Sequence, residues 1–357
     1  AKIIDTFLKS LLSKKVMAQQ KIVKLDLIDQ KILAVLLTNA RIAGTELASI
    51  IKHHYPTVRN RMNRLVQENV INHFHPVLQF PGIGVRRFFG VYLSLRGIKT
   101  EEQQQLIKEF VKQPFLIHVY ELQGRWNIFL LMTTNYVKEV RDTLDFVKQR
   151  CDKYLTEIVI LPTYIISPLN RQFFLEKEFT IDHKNIKTGY NSLIQETPLV
   201  SLGALLDLDE VDKKILDLLK LNARASLEEI GKSAGVDPEV VDYRIKKYLK
   251  SKLITYFGMD INPEVIGYTQ YILFLNLQGN TEAKDELLKS LYLVKEAYHV
   301  FEYIGYWEIV ITFCVKSPER MQDLKNSFME KYESIIKDQE LLWLEKRWKT
   351  DPYPDLE

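Results

Sequence analysis

The sequence predicts an α+β chain in which one unit, helical in its first part and β-rich in its second, is written twice. Three observations predict it. Residues 25–41 (LDLIDQKILAVLLTNAR) and 208–224 (LDEVDKKILDLLKLNAR) agree at ten of seventeen positions, at an offset of 183. That offset then persists: Leu47 meets Ile230, Val58 meets Val241, Arg61 meets Arg244, Ile71 meets Ile254, Phe74 meets Phe257, and Ile83 and Gly84 meet Ile266 and Gly267. After a two-residue deletion the likeness returns at an offset of 181, where His118, Val119, Glu121, Gly124 and Trp126 recur as His299, Val300, Glu302, Gly305 and Trp307. A repeat of this length is the largest single constraint on the fold, because each unit must bury its apolar face against something.

The helical part of each copy comes first. Asp29 or Asp212 stands in a first turn, and Ile32, Leu33 and Leu36 place an apolar stripe at helical spacing. Asn39, Ala40 and Arg41, repeated as Asn222, Ala223 and Arg224, end that helix. In copy two Ser226 and Glu229 read as a capping box opening a second helix, the hydroxyl accepting from a free N–H while the carboxylate reaches back; copy one has the weaker Gly44 and Thr45. Pro56 and Pro238 favour the first turn of a third helix, since their missing N–H had no partner there. Val58, Met62 and Leu65, or Val241, Ile245 and Leu249, face it inward. Three short helices with a tight break before the third form a helix-turn-helix.

The second part reads as βαββαβ, the ferredoxin-like pattern. Strands are expected at 88–95, 116–122, 126–133 and 155–166, with helices at 100–113 and 136–150. Copy two repeats them at 270–277, 298–304, 307–315 and 340–348, with helices at 281–293 and 317–333. The domains are therefore an amphipathic N-terminal helix (1–24), a helix-turn-helix head (25–84), a βαββαβ domain (85–166), a linker (167–207), a second head (208–267) and a second βαββαβ domain (268–350). A flexible linker of this length spans on the order of 35 Å, so the two β-domains can pair within one chain as a pseudo-dimer.

Composition is that of an ordinary globular chain: 357 residues, 27% charged, 46% hydrophobic, net charge +3. The mild basicity permits nucleic acid without requiring it. No apolar run approaches about 18 residues, so no membrane partner is expected. The first residues lack the apolar core and small-residue cleavage site of a signal peptide. Cys151 and Cys314 cannot build a disulfide framework or a four-thiolate zinc site, and a cytoplasmic setting is expected.

A helix-turn-helix opening with L-D-x-x-D-x-x-I-L-x-x-L-x-x-N-A-R and joined to βαββαβ resembles the Lrp/AsnC family of transcription regulators, over about four-fifths of the chain. The resemblance implies a double-stranded DNA partner and β-domains that dimerise. It also implies a small-molecule effector, often an amino acid, near a Gly-x-Tyr-Asp turn. Here that turn is Gly124, Arg125, Trp126 and Asn127, and again Gly305, Tyr306, Trp307 and Glu308; the aromatic is kept in kind and the Asp is absent twice. The residues implied for an effector are thus Gly124, Trp126, Asn127, Gly305, Trp307 and Glu308. The family's units are one per chain, so a tandem chain implies self-association inside the molecule, with further oligomers open.

The two heads differ in what they offer DNA. In copy one the third helix turns Tyr55, Thr57, Arg59, Asn60, Asn63 and Arg64 outward, with no carboxylate among them; Arg suits guanine and Asn suits adenine. In copy two Asp237, Glu239 and Asp242 crowd the leading turns, where phosphate would sit, leaving Lys246 and Lys247 for backbone contacts. Arg61 and Arg244 match regardless of surface charge and are expected to pair with Asp29 and Asp212. The first head is the expected reader. The acidic second head leaves open a protein contact, including transcription-machinery proteins, as in a co-regulator scaffold.

Residues 1–24 carry Ile3, Ile4, Phe7, Leu8, Leu11 and Leu12 at helical spacing beside Lys9, Lys14, Lys15, Lys21 and Lys24, an amphipathic helix expected to pack on the first head, with a basic arm touching DNA as the alternative. The histidines, including His53, His54, His73 and His75, lack the accompanying Cys or acidic cluster of a metal site. No catalytic residue, cofactor or metal is assigned. An enzyme reading stays open on one ground: siroheme decarboxylases are similar to the same family in architecture.

Overall fold

The computed structural model describes residues 22–84, 87–134, 136–169, 171–177, 179, 207–279 and 281–356. The N-terminal amphipathic helix expected at 1–24 falls almost wholly outside the described residues, as does most of the 167–207 stretch.

Each copy opens with three helices: α1 (Leu27–Thr38), α2 (Gly44–Ile51) and α3 (Tyr55–Gln67) in the first, α6 (Glu210–Leu221), α7 (Leu227–Ala234) and α8 (Pro238–Lys250) in the second. Asp26 caps α1 and Asp209 caps α6, each in a reciprocal box with the Asp at the third helical position. Ser226 and Glu229 form the expected box on α7, while Ala43, preceding α2, offers no side-chain cap. Ile32, Leu33, Leu36, Leu47, Val58 and Leu65 close the first head's core, and Ile215, Leu216, Leu219, Ile230 and Val241 the second's.

A strand follows each head: β1 (Ile71–Leu78) and β6 (Ile254–Ile261). They pair antiparallel with each other, with His73 opposite Asp260, Phe74 opposite Met259 and His75 opposite Gly258. The wings are thus one shared ribbon between copies. The heads also clasp. Ala40 N donates to Phe257 O at 2.7 Å and Ala223 N to Phe74 O at 2.9 Å. Arg41 Nη1 donates to Ala223 O, and Arg224 Nη1 donates to Ala40 O and Ile42 O. Each guanidinium lies over a ring of the ribbon, Arg41 at 5.7 Å from Phe257 and Arg224 at 5.6 Å from Phe74.

The β-domains are β2 (Arg87–Leu95), α4 (Thr100–Val111), β3 (Leu116–Gln123), β4 (Ile128–Thr134), α5 (Val137–Cys151) and β5 (Leu155–Pro168), then β7 (Thr269–Leu277), α9 (Thr281–Leu291), β8 (Ala297–Tyr303), β9 (Ile309–Val315), α10 (Pro318–Lys331) and β10 (Ile336–Thr350). Their eight strands close into one barrel in the order β10-β3-β4-β2-β5-β8-β9-β7. The closure is reciprocal. β5 pairs with β2 over its first part and then with β8, while β10 pairs with β7 and then crosses to β3. Strand alternation assigns the faces: Val91 and Leu93 lie with Ile107, Phe110 and Val147 in the core formed with the helices, whereas Tyr92 belongs to the core that includes Trp126, Phe274 and Trp307. The pseudo-dimer is a shared barrel rather than two sheets merely in contact.

The stretch expected as a linker begins as structure. β5 runs to Pro168, Leu169 N donates to Tyr298 O at 3.0 Å, and Phe173, Phe174 and Leu175 are buried. Phe173 packs 4.9 Å from the Tyr268 ring, before β7, and 6.0 Å from the Tyr298 ring of β8. Ordering is stabilised by that burial, at roughly 1.5–3 kcal/mol for each large side chain.

Candidate nucleic-acid interface

Pro56 in the first turn and Val58 and Leu65 on the buried face fix how α3 lies, and its remaining faces look outward. Tyr55, Thr57, Arg59, Asn60 and Asn63 are exposed. Among the described residues no carboxylate pairs with Arg59, so its guanidinium is available to an external acceptor.

Arg64 is a correction to the expected outward set. Its Nη2 lies 2.5 Å from Asp29 Oδ2, and Arg61 Nη1 contacts Asp26 at 2.5 Å and Asp29 at 3.4 Å. Asp29 is fully buried, and a buried carboxylate must be matched by opposite charge. One arginine would have met the formal need. The chain uses two, because Arg61 is shared with Asp26 at the helix cap. Copy two solves the same problem differently: Arg244 reaches Asp209 and Asp212 at 2.8 Å each, and Tyr248 Oη donates to Asp212 at 2.6 Å. The expected structural role of Arg61 and Arg244 is what the contacts show.

The positions on α8 equivalent to Thr57, Arg59, Asn60 and Asn63 are Val240, Asp242, Tyr243 and Lys246. Asp242 binds Lys246 at 2.6 Å, so that lysine is partly neutralised. Lys247 is exposed. Asp237 and Glu239 are exposed at the leading end. Desolvation lowers the Arg41 pKa, as does the neighbouring Arg224 charge, while Asp242 acts in the opposite direction. At the register position where α3 carries the exposed Arg59, α8 carries Asp242, bonded to Lys246.

The turn residues implied for an effector lie elsewhere and do something else. Gly124 takes φ 135° and Gly305 φ 146°, in the region open to glycine. Trp126 and Trp307 are buried inside the barrel, 6.3 Å apart and edge to face, with Phe274 5.0 Å from Trp126 and 5.8 Å from Trp307. Trp126 Nε1 donates to Glu157 Oε2 at 3.1 Å. Asn127 N donates to Leu93 O, and Glu308 N to Leu275 O. These six residues are barrel packing and turn geometry. In the position of the absent aspartates, Asn127 Oδ1 accepts from Leu95 N at 2.5 Å, and the Glu308 carboxylate lies 4.0 Å from Lys284 Nζ.

A cavity missed by sequence reasoning lies between the ribbon and the barrel. It measures about 120 Å³ and is lined by His73 and His75 from β1, His118 from β3, His299 from β8, Asp260 from β6 and Arg347 from β10, among others. Its residues come from both copies and from Arg171, so no local signal announces it. Burial holds the histidines neutral: the pKa of His75 falls to about 3 and that of His118 to about 4. Among the described residues no group of three or more His, Cys, Asp or Glu is arranged for a metal ion. No helix among them is long and apolar enough to cross a membrane.

Comparisons with known proteins agree with the double unit. An AsnC-type helix-turn-helix domain model matches residues 208–249, and a winged helix-turn-helix DNA-binding model matches residues 25–72. The chain is 30% identical over 130 residues to the HTH-type transcriptional regulator FL11 of Pyrococcus abyssi, covering 36% of this chain and 83% of that one. It is 27% identical over 141 residues to the regulatory protein AsnC of Escherichia coli, covering 39% and 91%. Each match is the length of one copy. Among solved structures, the siroheme decarboxylase NirDL aligns over 92% of this chain and 94% of its own with a TM-score of 0.59 at 12% identity, a likeness of fold.

Proposed function

The chain belongs to the Lrp/AsnC family of transcription regulators, and on that premise we propose that it reads duplex DNA asymmetrically, through α3 of the first head. A regulator of this type binds double-stranded DNA with its third helix in the major groove, N-terminal residues towards the bases. Here Arg59, Asn60 and Asn63 contact base edges, Thr57 and Tyr55 position the helix on the backbone, and Lys247 adds a phosphate contact from the second head. The observation that carries this reading is the exchange at one register position, Arg59 in copy one against Asp242 in copy two. A carboxylate at the major-groove edge can accept only from the amino groups of cytosine and adenine, offers nothing to guanine, and repels phosphate.

The ribbon and the clasp hold both heads on one rigid base. Self-association into pairs of chains, contacts with transcription proteins through α8, and cytoplasmic action complete the reading. Its test is selection of bound duplexes from a random pool by the whole chain, with affinity of the selected duplex followed against salt. A recovered consensus and a log–log salt slope of about −2 to −5 support it, two to five phosphates being neutralised. Failure to bind any duplex at about 50 mM salt, where phosphate contacts are strongest, would overturn it.

A further inference from the structure

We propose that the cavity between the ribbon and the barrel is a binding site for a small planar carboxylate, held by Arg171 and Arg347 between aromatic walls. The site goes beyond DNA reading and stands independently of it, because none of its residues lies on α3 or α8.

Charge is the first argument. Arg171 is 9% exposed, and its only side-chain hydrogen bond among the described residues goes to Tyr256 Oη at 3.1 Å. It lies 5.6 Å over the Tyr298 ring, and no carboxylate pairs with it among those residues. Arg347 has a partner, Asp260 at 3.0 Å, and also donates to Ile261 O at 3.0 Å. Asp351 at the rim is engaged by Lys349 at 3.4 Å. The lining's two carboxylates are thus both engaged, Asp260 by Arg347 and Asp351 by Lys349, and Arg171 is the buried guanidinium left without one among the described residues. A buried charge without a partner is costly, and an anion entering the cavity removes that cost.

Polar vacancy is the second. Gln270 is 3% exposed and lines the cavity, and its Oε1 has no hydrogen-bond partner; His118 Nδ1 has none either. Buried polar atoms are nearly always satisfied, and an exception calls for a cause. A half-turn of the Gln270 amide presents an N–H at the same place, which suits a carboxylate oxygen.

Shape and strain complete the case. The walls are rings: His73 beside His75 at 5.1 Å, His118 stacked on Tyr120 at 5.2 Å, Tyr298 edge-on to His299 at 4.5 Å. Pro76, Leu78, Ile117, Leu131 and Met259 supply apolar surface. A dry cavity of about 150 Å³ takes one benzene, so about 120 Å³ limits the ligand to no more than a single small ring. Arg171 itself adopts φ 53°, a left-handed conformation rare for a long side chain. Residues held so tend to serve a site, and here the strain aims the guanidinium at His299 and Tyr298.

Titration calorimetry of the full chain with benzoate tests this, with benzamide as the uncharged isostere and inorganic phosphate as the anion without a ring. Saturable benzoate binding, with benzamide and phosphate each at least about ten-fold weaker, is the expected result, the charge-assisted bonds accounting for the first gap. Arg171→Met removes the benzoate signal, and Gln270→Glu, which places a like charge in the cavity, weakens it by about ten-fold or more. Equal binding of benzoate and benzamide, binding unchanged in Gln270→Glu, or no benzoate heat from a chain that circular dichroism shows folded would each overturn the assignment. Phosphate binding as tightly as benzoate would also overturn it, by removing the role of the rings.

Discussion

Replacing Asp29 by Asn leaves the shape of the first head intact and removes one buried negative charge. Asp29 has no exposed surface, yet three partners converge on it: Arg61, Arg64 and the Asp26 backbone N–H, at 3.4, 2.5 and 3.0 Å. The amide can still accept from Asp26, so the capping bond survives. What is lost is the compensation of two guanidiniums. Removing one member of a fully buried pair costs about 3–5 kcal/mol. Here the arginine side chains are 32% and 36% exposed, and Arg61 keeps Asp26, so water takes up part of the loss and about 2 kcal/mol remains. Urea unfolding followed by circular dichroism reads this as a lower midpoint at constant slope. A second consequence follows for the site. Arg64, released from Asp29, swings towards the outer face of α3, so at temperatures where the variant is folded its affinity for non-specific duplex rises by a few-fold. An unchanged unfolding midpoint would refute the reasoning, for it would mean that Asp29 was never the anchor of either arginine.

Trp126→Ala removes a side chain with no exposed surface from the barrel interior, together with its bond to Glu157, and should cost about 3–5 kcal/mol by urea unfolding. The half-exposed Arg125, paired with the same Glu157, should cost under about 1 kcal/mol when truncated. Near-equal costs would contradict the placement of Trp126 at the seam. Stability should also fall with acid in a defined window. Burial, with the nearby His73, depresses His75 to about 3, and burial depresses His118 to about 4. Both therefore contribute stability in full above their unfolded value near 6.5, and lose it as pH falls towards the folded values, because the unfolded chain binds the protons first. Unfolding midpoints measured from pH 7 to pH 4 should decline, and His75→Asn should flatten the decline; an identical slope in the variant would contradict it.

The repeat made most of the architecture legible. Ser226 and Glu229, Pro56 and Pro238, and the apolar runs at 88–95 and 270–277 are local signals, and the elements they mark are present within a few residues. What the sequence concealed depends on distance along the chain. β1 and β6 pair across 183 residues, and β1 carries His73, His75 and Pro76 where a strand would alternate, so nothing local marks it as half of a ribbon. Arg64 shares a helical face with Asn60 and Asn63, and only the approach of α1 brings Asp29 within its reach. Trp126 and Trp307 follow turn glycines, which suggests a ligand loop; barrel closure turns both rings inward. The cavity has no sequence signature because its lining is drawn from nine strands of both copies and from the segment after β5.

Affinity of a selected duplex for Arg59→Ala and for Glu239→Ala, measured side by side by fluorescence anisotropy, tests the asymmetric reading most directly. A bidentate base contact is worth about 1–3 kcal/mol, so Arg59→Ala should weaken binding by about five- to 150-fold. Glu239→Ala, which removes a carboxylate from the leading turn of α8, should leave binding unchanged or tighten it. Equal losses from the two substitutions, or full affinity in Arg59→Ala, would contradict the account.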